Sequence, residues 1–215
     1  MAVAVEHDKR RKKILEKALV VFMDDGYEDA TFQKIADRCG ITRTILYLYF
    51  KNKREIFTYS IKQLLTSVED NINTIRADKH LSSVEKISNV LLDIFKLLEQ
   101  NKQLLSVVIE YLLHLSKGHV EQGRKNAAAA KNSSAAAGEP GRRVRRRTVK
   151  LRHILSSMII EGVKAGELKK INVKDANNYL YSIIESAIFQ LVILKRNNLD
   201  EHKKTAIFAV KQFEA

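Results

Sequence analysis

The stretch Thr31–Lys53, TFQKIADRCGITRTILYLYFKNK, constrains the fold of this chain more than any other. Phe32, Ile35, Ala36 and Cys39 fall on one face of a helix of about two turns. Gly40 follows where a helix needs a residue that tolerates left-handed backbone, and Ile41 is apolar enough to plug the corner. Thr42 is an N-cap for a second helix, whose apolar stripe is Ile45, Leu46, Tyr49 and Phe50. The leading end of that helix offers Arg43, Thr44 and Tyr47, all hydrogen-bond donors. Two short helices, a Gly turn and a polar leading end on the second helix predict a helix-turn-helix that reads DNA, with helices at 32–39 and 43–50.

The rest of the chain predicts helices as well. Ile14, Leu15, Ala18, Leu19 and Phe22 give a helix over 8–23, which Asp24-Asp25-Gly26 ends, leaving Tyr27 free to fold back on the core. Asn52 caps a long fourth helix, with Glu55 three residues on in a variant of the capping box. Ser82-Ser83-Val84-Glu85 opens a fifth, and a sixth over 102–116 is apolar on most sides, as in the centre of a bundle. Helices are expected over 148–165, from the Asn172 cap to 195, and over 200–213. With one Pro and 8 Gly in 215 residues, few breakers interrupt this pattern. The expected fold is all-α: a three-helix helix-turn-helix domain at 1–56 and a helical bundle at 57–215.

Charge narrows the expectation further. The net charge of +13 suggests a nucleic-acid partner, but its placement matters more than its size. Residues 1–62 carry 13 Lys/Arg against 9 Asp/Glu, whereas 117–153 carry 11 against 2. Most of the excess therefore lies in the low-complexity stretch around Ala127–Ala137 and the Arg run from Arg142, and 118–147 is expected to form a flexible basic loop. The basic run Lys9–Lys13 opposes the dipole of the first helix, so two readings stand for it: a partner anion, or a solvated helix end. There is no transmembrane run and no signal-peptide core, and the single Cys fits a reducing cytoplasm. No cofactor, metal or membrane partner is expected. His114, His119, Glu110 and Glu121 show no firm ligand spacing, and no phosphate loop or nucleophile elbow marks an enzyme.

The segment DDGYEDATFQKIADRCGITRTILYLYFKNKREIF, with the helix before it, resembles the N-terminal domain of the TetR family of bacterial transcriptional regulators. Gly26-Tyr27, Thr31, Ile35-Ala36, Gly40-Ile41, Leu46-Tyr47, Phe50, Lys53 and Glu55 carry the likeness, which spans roughly residues 9–60. The C-terminal part is similar only in outline. The resemblance implies a cytoplasmic homodimeric repressor whose partner is double-stranded operator DNA and which a small-molecule effector, hydrophobic if the pocket is apolar, releases from it. It implies that Arg43, Thr44 and Gln33 reach base edges, Gln33 with a phosphate as its other option. Thr31, Thr42, Tyr47, Tyr49 and Lys53 then contact phosphates, core packing being the other reading of Tyr49. Leu48 departs from the pattern and is read either as a thymine-methyl contact or as merely exposed.

The remaining expectations concern the C-terminal part. Glu110, Tyr111, His114, Tyr179, Glu185 and Gln190 are polar groups in apolar helices, candidates for an effector cavity or else for helix exteriors and an interface. The last two helices carry apolar surface to spare and are expected to pair with a second copy as a four-helix bundle. The competing expectation is a helix-turn-helix regulator without a small-molecule effector, controlled by a protein partner or acting as an architectural binder. Cys39 is expected to be a small core residue rather than a redox switch.

Overall fold

The computed structural model describes residues 2–125 and 139–215, with the side chains of 6–63, 65–66, 68–113 and 149–215. Nine helices account for the regular structure among them: α1 (Ala2–Asp29), α2 (Phe32–Cys39), α3 (Arg43–Tyr49), α4 (Lys53–Ala77), α5 (Ser83–Gln100), α6 (Lys102–Lys125), α7 (Glu139–Lys164), α8 (Val173–Val192) and α9 (Asp200–Lys211). The fold is all-α, as the periodicity predicts. The extended pairing among the described residues is one isolated bridge between Leu168 and Glu214.

The residues group into two compact units, the first being Met1–Thr66 with Gln103–Arg142 and the second Ser67–Lys102 with Arg143–Ala215. The core of the first joins Ile14, Leu15, Ala18 and Phe22 of α1 to Ile35, Leu46, Phe50, Ile56 and Phe57. Leu104, Val107 and Tyr111 of α6 belong to this same core. Helix α6 thus serves the N-terminal head, where its periodicity alone suggested the centre of a C-terminal bundle. Gly26 has φ 77 and ψ 176, a conformation open to glycine, and the chain turns there before one further turn, Tyr27–Asp29. That turn lays Tyr27 on the core, its ring 4.9 Å from Phe57 and 4.3 Å from Tyr111 between centroids.

In the second unit α5 buries Ile87, Val90, Leu91, Ile94 and Phe95 against α8 and α9. Its start forms a full capping box between Ser82 and Glu85. Glu167 accepts a hydrogen bond from the Ser83 N–H. Gly162 shows how closely α7 approaches this corner: a Cβ there would lie 2.6 Å from Leu168 and 2.8 Å from Ser83. Glu99 ties α5 to α9 by accepting from the Leu199 N–H at 2.7 Å and pairing with Lys203 at 2.8 Å.

The stretch 118–147 departs from its expected loop wherever it is described. Residues 118–125 continue α6, and 139–147 form the start of α7. Pro140 is the second residue of α7, in the first turn, where its missing N–H would have had no partner inside the helix. The alanine tracts at 127–130 and 135–137 lie outside the described residues.

Candidate nucleic-acid interface

The helix-turn-helix is fixed by three local devices. Thr31 Oγ1 accepts from the Lys34 N–H at 3.2 Å and caps α2. Gly40, at φ 69 and ψ 36, ends α2; its N–H bonds to Asp37 O and the Ile41 N–H to Ala36 O, each at 3.1 Å. Thr42 Oγ1 then accepts from the Ile45 N–H at 3.3 Å and starts α3. Leu46 and Phe50 are fully buried and anchor α3 to the head, which sets the opposite face outward.

That outward face presents Arg43, Thr44, Tyr47 and Leu48. Tyr47 stacks on Phe32 with ring centroids 4.6 Å apart. Arg43 Nη2 donates to Tyr47 Oη at 3.0 Å, so one side chain orients the other ahead of any ligand. A guanidinium has five N–H donors, and those not used on Tyr47 remain for a planar acceptor pair such as the guanine edge. Leu48 is 74% exposed, an apolar side chain held in water among donors. Thr31 and Thr42 use their oxygens as cap acceptors, which leaves each hydroxyl hydrogen free to be donated outward. Gln33 is exposed on α2, where its Nε2 donates to Asp37 Oδ1 at 2.7 Å.

Two of the expected DNA contacts have structural partners already. Tyr49 is half-buried and stacks on His7, centroids 4.7 Å apart. Lys53 Nζ donates to Tyr27 O at 2.7 Å and Glu28 O at 2.9 Å, joining the first residue of α4 to the end of α1. It also sits 4.6 Å from the Tyr27 ring centroid, a cation–π contact. Two of its three ammonium donors are engaged, leaving one for another acceptor. Burial pushes the Tyr27 phenol far above its ordinary range, and the neighbouring Tyr111 adds to this. Burial likewise raises Tyr111. Tyr27 and Tyr111 therefore stay neutral inside an aromatic cluster with Phe57.

The residues expected around an effector fall in both units, Glu110, Tyr111 and His114 in the first and Tyr179, Glu185 and Gln190 in the second. Tyr111 is buried in the head core, and Glu110 is exposed on the same helix. The side chain of His114 lies outside the described residues. Tyr179 and Glu185 are exposed on α8, on the side away from Leu180, Ile183, Ile184 and Ala187, because the three-to-four-residue spacing that buries one face turns these two outward. Gln190 is half-buried on the same helix. A polar group that pattern reading missed is Asn177, buried on α8, whose Nδ2 donates to Arg152 O at 2.5 Å and to Ser156 Oγ. Arg152 stands 3.9 Å over the Tyr181 ring. The signal for Asn177 in the sequence is its place between Ala176 and Leu180 on the apolar face of α8.

Residues 14–59 match the sequence model for bacterial regulatory proteins of the tetR family. The fatty acid metabolism regulator protein of Bacillus subtilis (strain 168) is 24% identical over 181 residues, which span 82% of this chain and 80% of that protein. A TetR transcription regulator from Haloarcula marismortui ATCC 43049 has a similar structure, with a TM-score of 0.75 at 19% identity over 97% of this chain and 100% of that one. So does the transcriptional regulator FadR of Bacillus subtilis in complex with stearoyl-CoA, with a TM-score of 0.65 at 21% identity over 93% and 96%.

Proposed function

We propose that this chain, a transcriptional regulator of the TetR family and not an enzyme, works as a homodimeric repressor that a small molecule with a long apolar part releases from a two-fold symmetric operator. The observation that carries the reading is a division of exposed chemistry. On α3 Arg43, Thr44 and Tyr47 expose hydrogen-bond donors, with Leu48 the one apolar side chain among them, whereas α8, α9 and the turn after α8 expose Tyr179, Phe189, Ile193, Leu194 and Phe208. Exposed apolar side chains on two terminal helices and the turn between them fit a second copy of the same surface, closed by a two-fold axis. Two heads held by that axis place their recognition helices about 34 Å apart, one turn of the duplex.

In this reading residues 1–56 supply the operator contacts, and 57–215 supply dimerisation and effector response. Arg43, Thr44 and Gln33 read base edges. Thr31, Thr42, Tyr47 and Lys53 hold phosphates and set the register. Tyr49, through His7, keeps the start of α1 beside the end of α3. The stearoyl-CoA of the Bacillus subtilis relative supports an acyl-bearing effector. Tyr111, Tyr27 and Lys53 form a relay from α6 to the start of α4: a displacement of α6 would disturb the aromatic cluster that positions Lys53. Such a ligand acts only through a difference in its affinity for the two arrangements.

A second reading, a regulator without a small-molecule effector, draws on the outward placement of Glu110, Tyr179 and Glu185. One experiment tests both. Duplex fragments bound by the purified protein are selected and sequenced, and binding to the recovered site is then followed while stearoyl-CoA is added. A symmetric site released by the acyl-CoA supports the first reading. A symmetric site unaffected by acyl-CoAs of any chain length favours the second, and recovery of no preferred sequence contradicts both.

A further inference from the structure

The cations of the head fall into two groups. Lys34 pairs with Asp25 at 3.1 Å, Arg38 with Asp24 at 3.3 Å and Arg11 with Glu55 at 3.8 Å. Lys9, Arg10, Lys13 and Lys17 make no hydrogen bond or ion pair with another described residue. These four share one side of α1 and form a wall of a groove of about 390 Å³. The opposite wall is the turn of the helix-turn-helix at Cys39 and Gly40. Glu6 is the single acid lining it, so the groove holds four positive charges against one negative.

This arrangement is unfavourable by itself. Lys9, Lys13 and Lys17 recur at four-residue spacing, where like charges on a helix repel. An external anion removes that cost. The stripe is also extended: three lysines four residues apart cover about 12 Å of helix, while one strand of a duplex carries a phosphate every 3.4 Å or so of its axis. Gly40 leaves the far wall low, since even a Cβ there would meet nothing within 4 Å. Open, solvated lysines hold a small anion weakly but add up along a polyanion. The groove and α3 belong to one compact unit and share the turn at 40–42, so the groove lies beside the start of α3.

We infer that the groove between α1 and the α2–α3 turn is a second DNA-binding surface, in which Lys9, Arg10, Lys13 and Lys17 hold the phosphodiester backbone of duplex flanking the operator half-site, irrespective of its sequence. This rests on the DNA-binding reading above and adds four residues and a longer footprint to it. The flanking contact supplies affinity without choosing bases, while α3 does the choosing.

The test uses the full-length protein and the recovered operator in two duplexes, one ending at the operator border and one carrying about ten further base pairs of arbitrary sequence on each side. Affinity is measured between 50 and 200 mM salt for the wild type and for the combined variant Lys9→Gln, Arg10→Gln, Lys13→Gln, all exposed positions. The wild type is expected to bind the longer duplex more tightly and with a steeper salt dependence. The variant should lose that preference, with the slope of log affinity against log salt reduced by about 2 to 3 per head. Base preference at the operator should be unchanged. Wild-type binding that is selective for the operator, yet equal on the two duplexes or unaltered by the three substitutions, overturns the flanking surface alone. Absence of any operator preference in the wild type overturns the DNA-binding reading and this inference with it.

Discussion

The head and the second unit bury similar side chains and expose opposite ones. Around α3 the surface is made of donors and cations held in place by neighbours: Tyr47 on Phe32, Arg43 on Tyr47, Thr42 on the Ile45 N–H. On α8 and α9 aromatic side chains stand exposed among polar ones, with Phe208 62% exposed and Phe189 53%. A polar surface preset by its own contacts suits a partner recognised through hydrogen bonds and charge. A bare apolar stripe suits a partner that excludes water from it. Two helical units built by the same burial rule are thus suited to two kinds of recognition, through what their outward positions carry.

The largest effect should come from removing the apolar side of the contrast. Phe189→Glu together with Phe208→Glu places charge on both terminal helices and is expected to yield monomers by analytical ultracentrifugation. Operator affinity should then fall by about 10²–10⁴-fold, because two linked half-sites become two independent ones. A wild type that already sediments as a monomer would remove the basis for this prediction. Next in size, Leu46→Ala hollows the fully buried position that seats α3 and should cost about 2–5 kcal/mol in urea denaturation. If stability were unchanged, the burial that turns Arg43 and Thr44 outward would be misassigned.

A smaller effect tests whether the polar surface discriminates or merely adheres. Arg43→Ala should remove about 1–3 kcal/mol of preference at one base pair of each half-site, leaving binding to unrelated DNA little altered. An equal loss on every sequence would move Arg43 to the phosphate group of residues. Thr42→Ala should cost the head about 1 kcal/mol through the lost cap, measured by thermal unfolding. The smallest effect belongs to the second unit. The Ser83 N–H holds the Glu167 carboxylate below its usual 4.5, so its stabilising share is present above that pH and is lost as pH falls through the depressed value. Glu167→Gln should flatten the acid side of the urea midpoint against pH, and an unchanged profile would sink this assignment.

How much of this could be read from the residues depends on how local each device is. Thr31, Gly40 and Thr42 act within three or four positions of themselves, so the caps and the turn of the head follow directly from their spacing. The same holds for Ser82 and Glu85, and for Asn172 before α8. The placement of α6 does not follow in this way. The periodicity of Leu104, Val107 and Tyr111 defines a face but not its neighbour, and Tyr27, which that face meets, is 84 positions from Tyr111. Charge misled in a related manner. Lys34, Arg38 and Lys53 count as free cations in a composition, yet each is engaged by a carboxylate or by carbonyls that only the fold brings near. Polarity alone also failed to place Tyr179 and Glu185, since a polar residue in an apolar helix points inward or outward according to a phase that its neighbours set.

The groove beside α1 has one more consequence, for how the protein can be watched. Cys39, which lines it, is the only cysteine in the chain. Burial raises its thiol pKa and Lys17 opposes that shift in part, so the thiol reacts slowly at neutral pH and faster in mild alkali. A thiol-directed dye would therefore mark a single known position in the chain, at the corner of the helix-turn-helix. Its attachment rate becomes a clock for access to that corner, readable with and without DNA and without introducing a new residue.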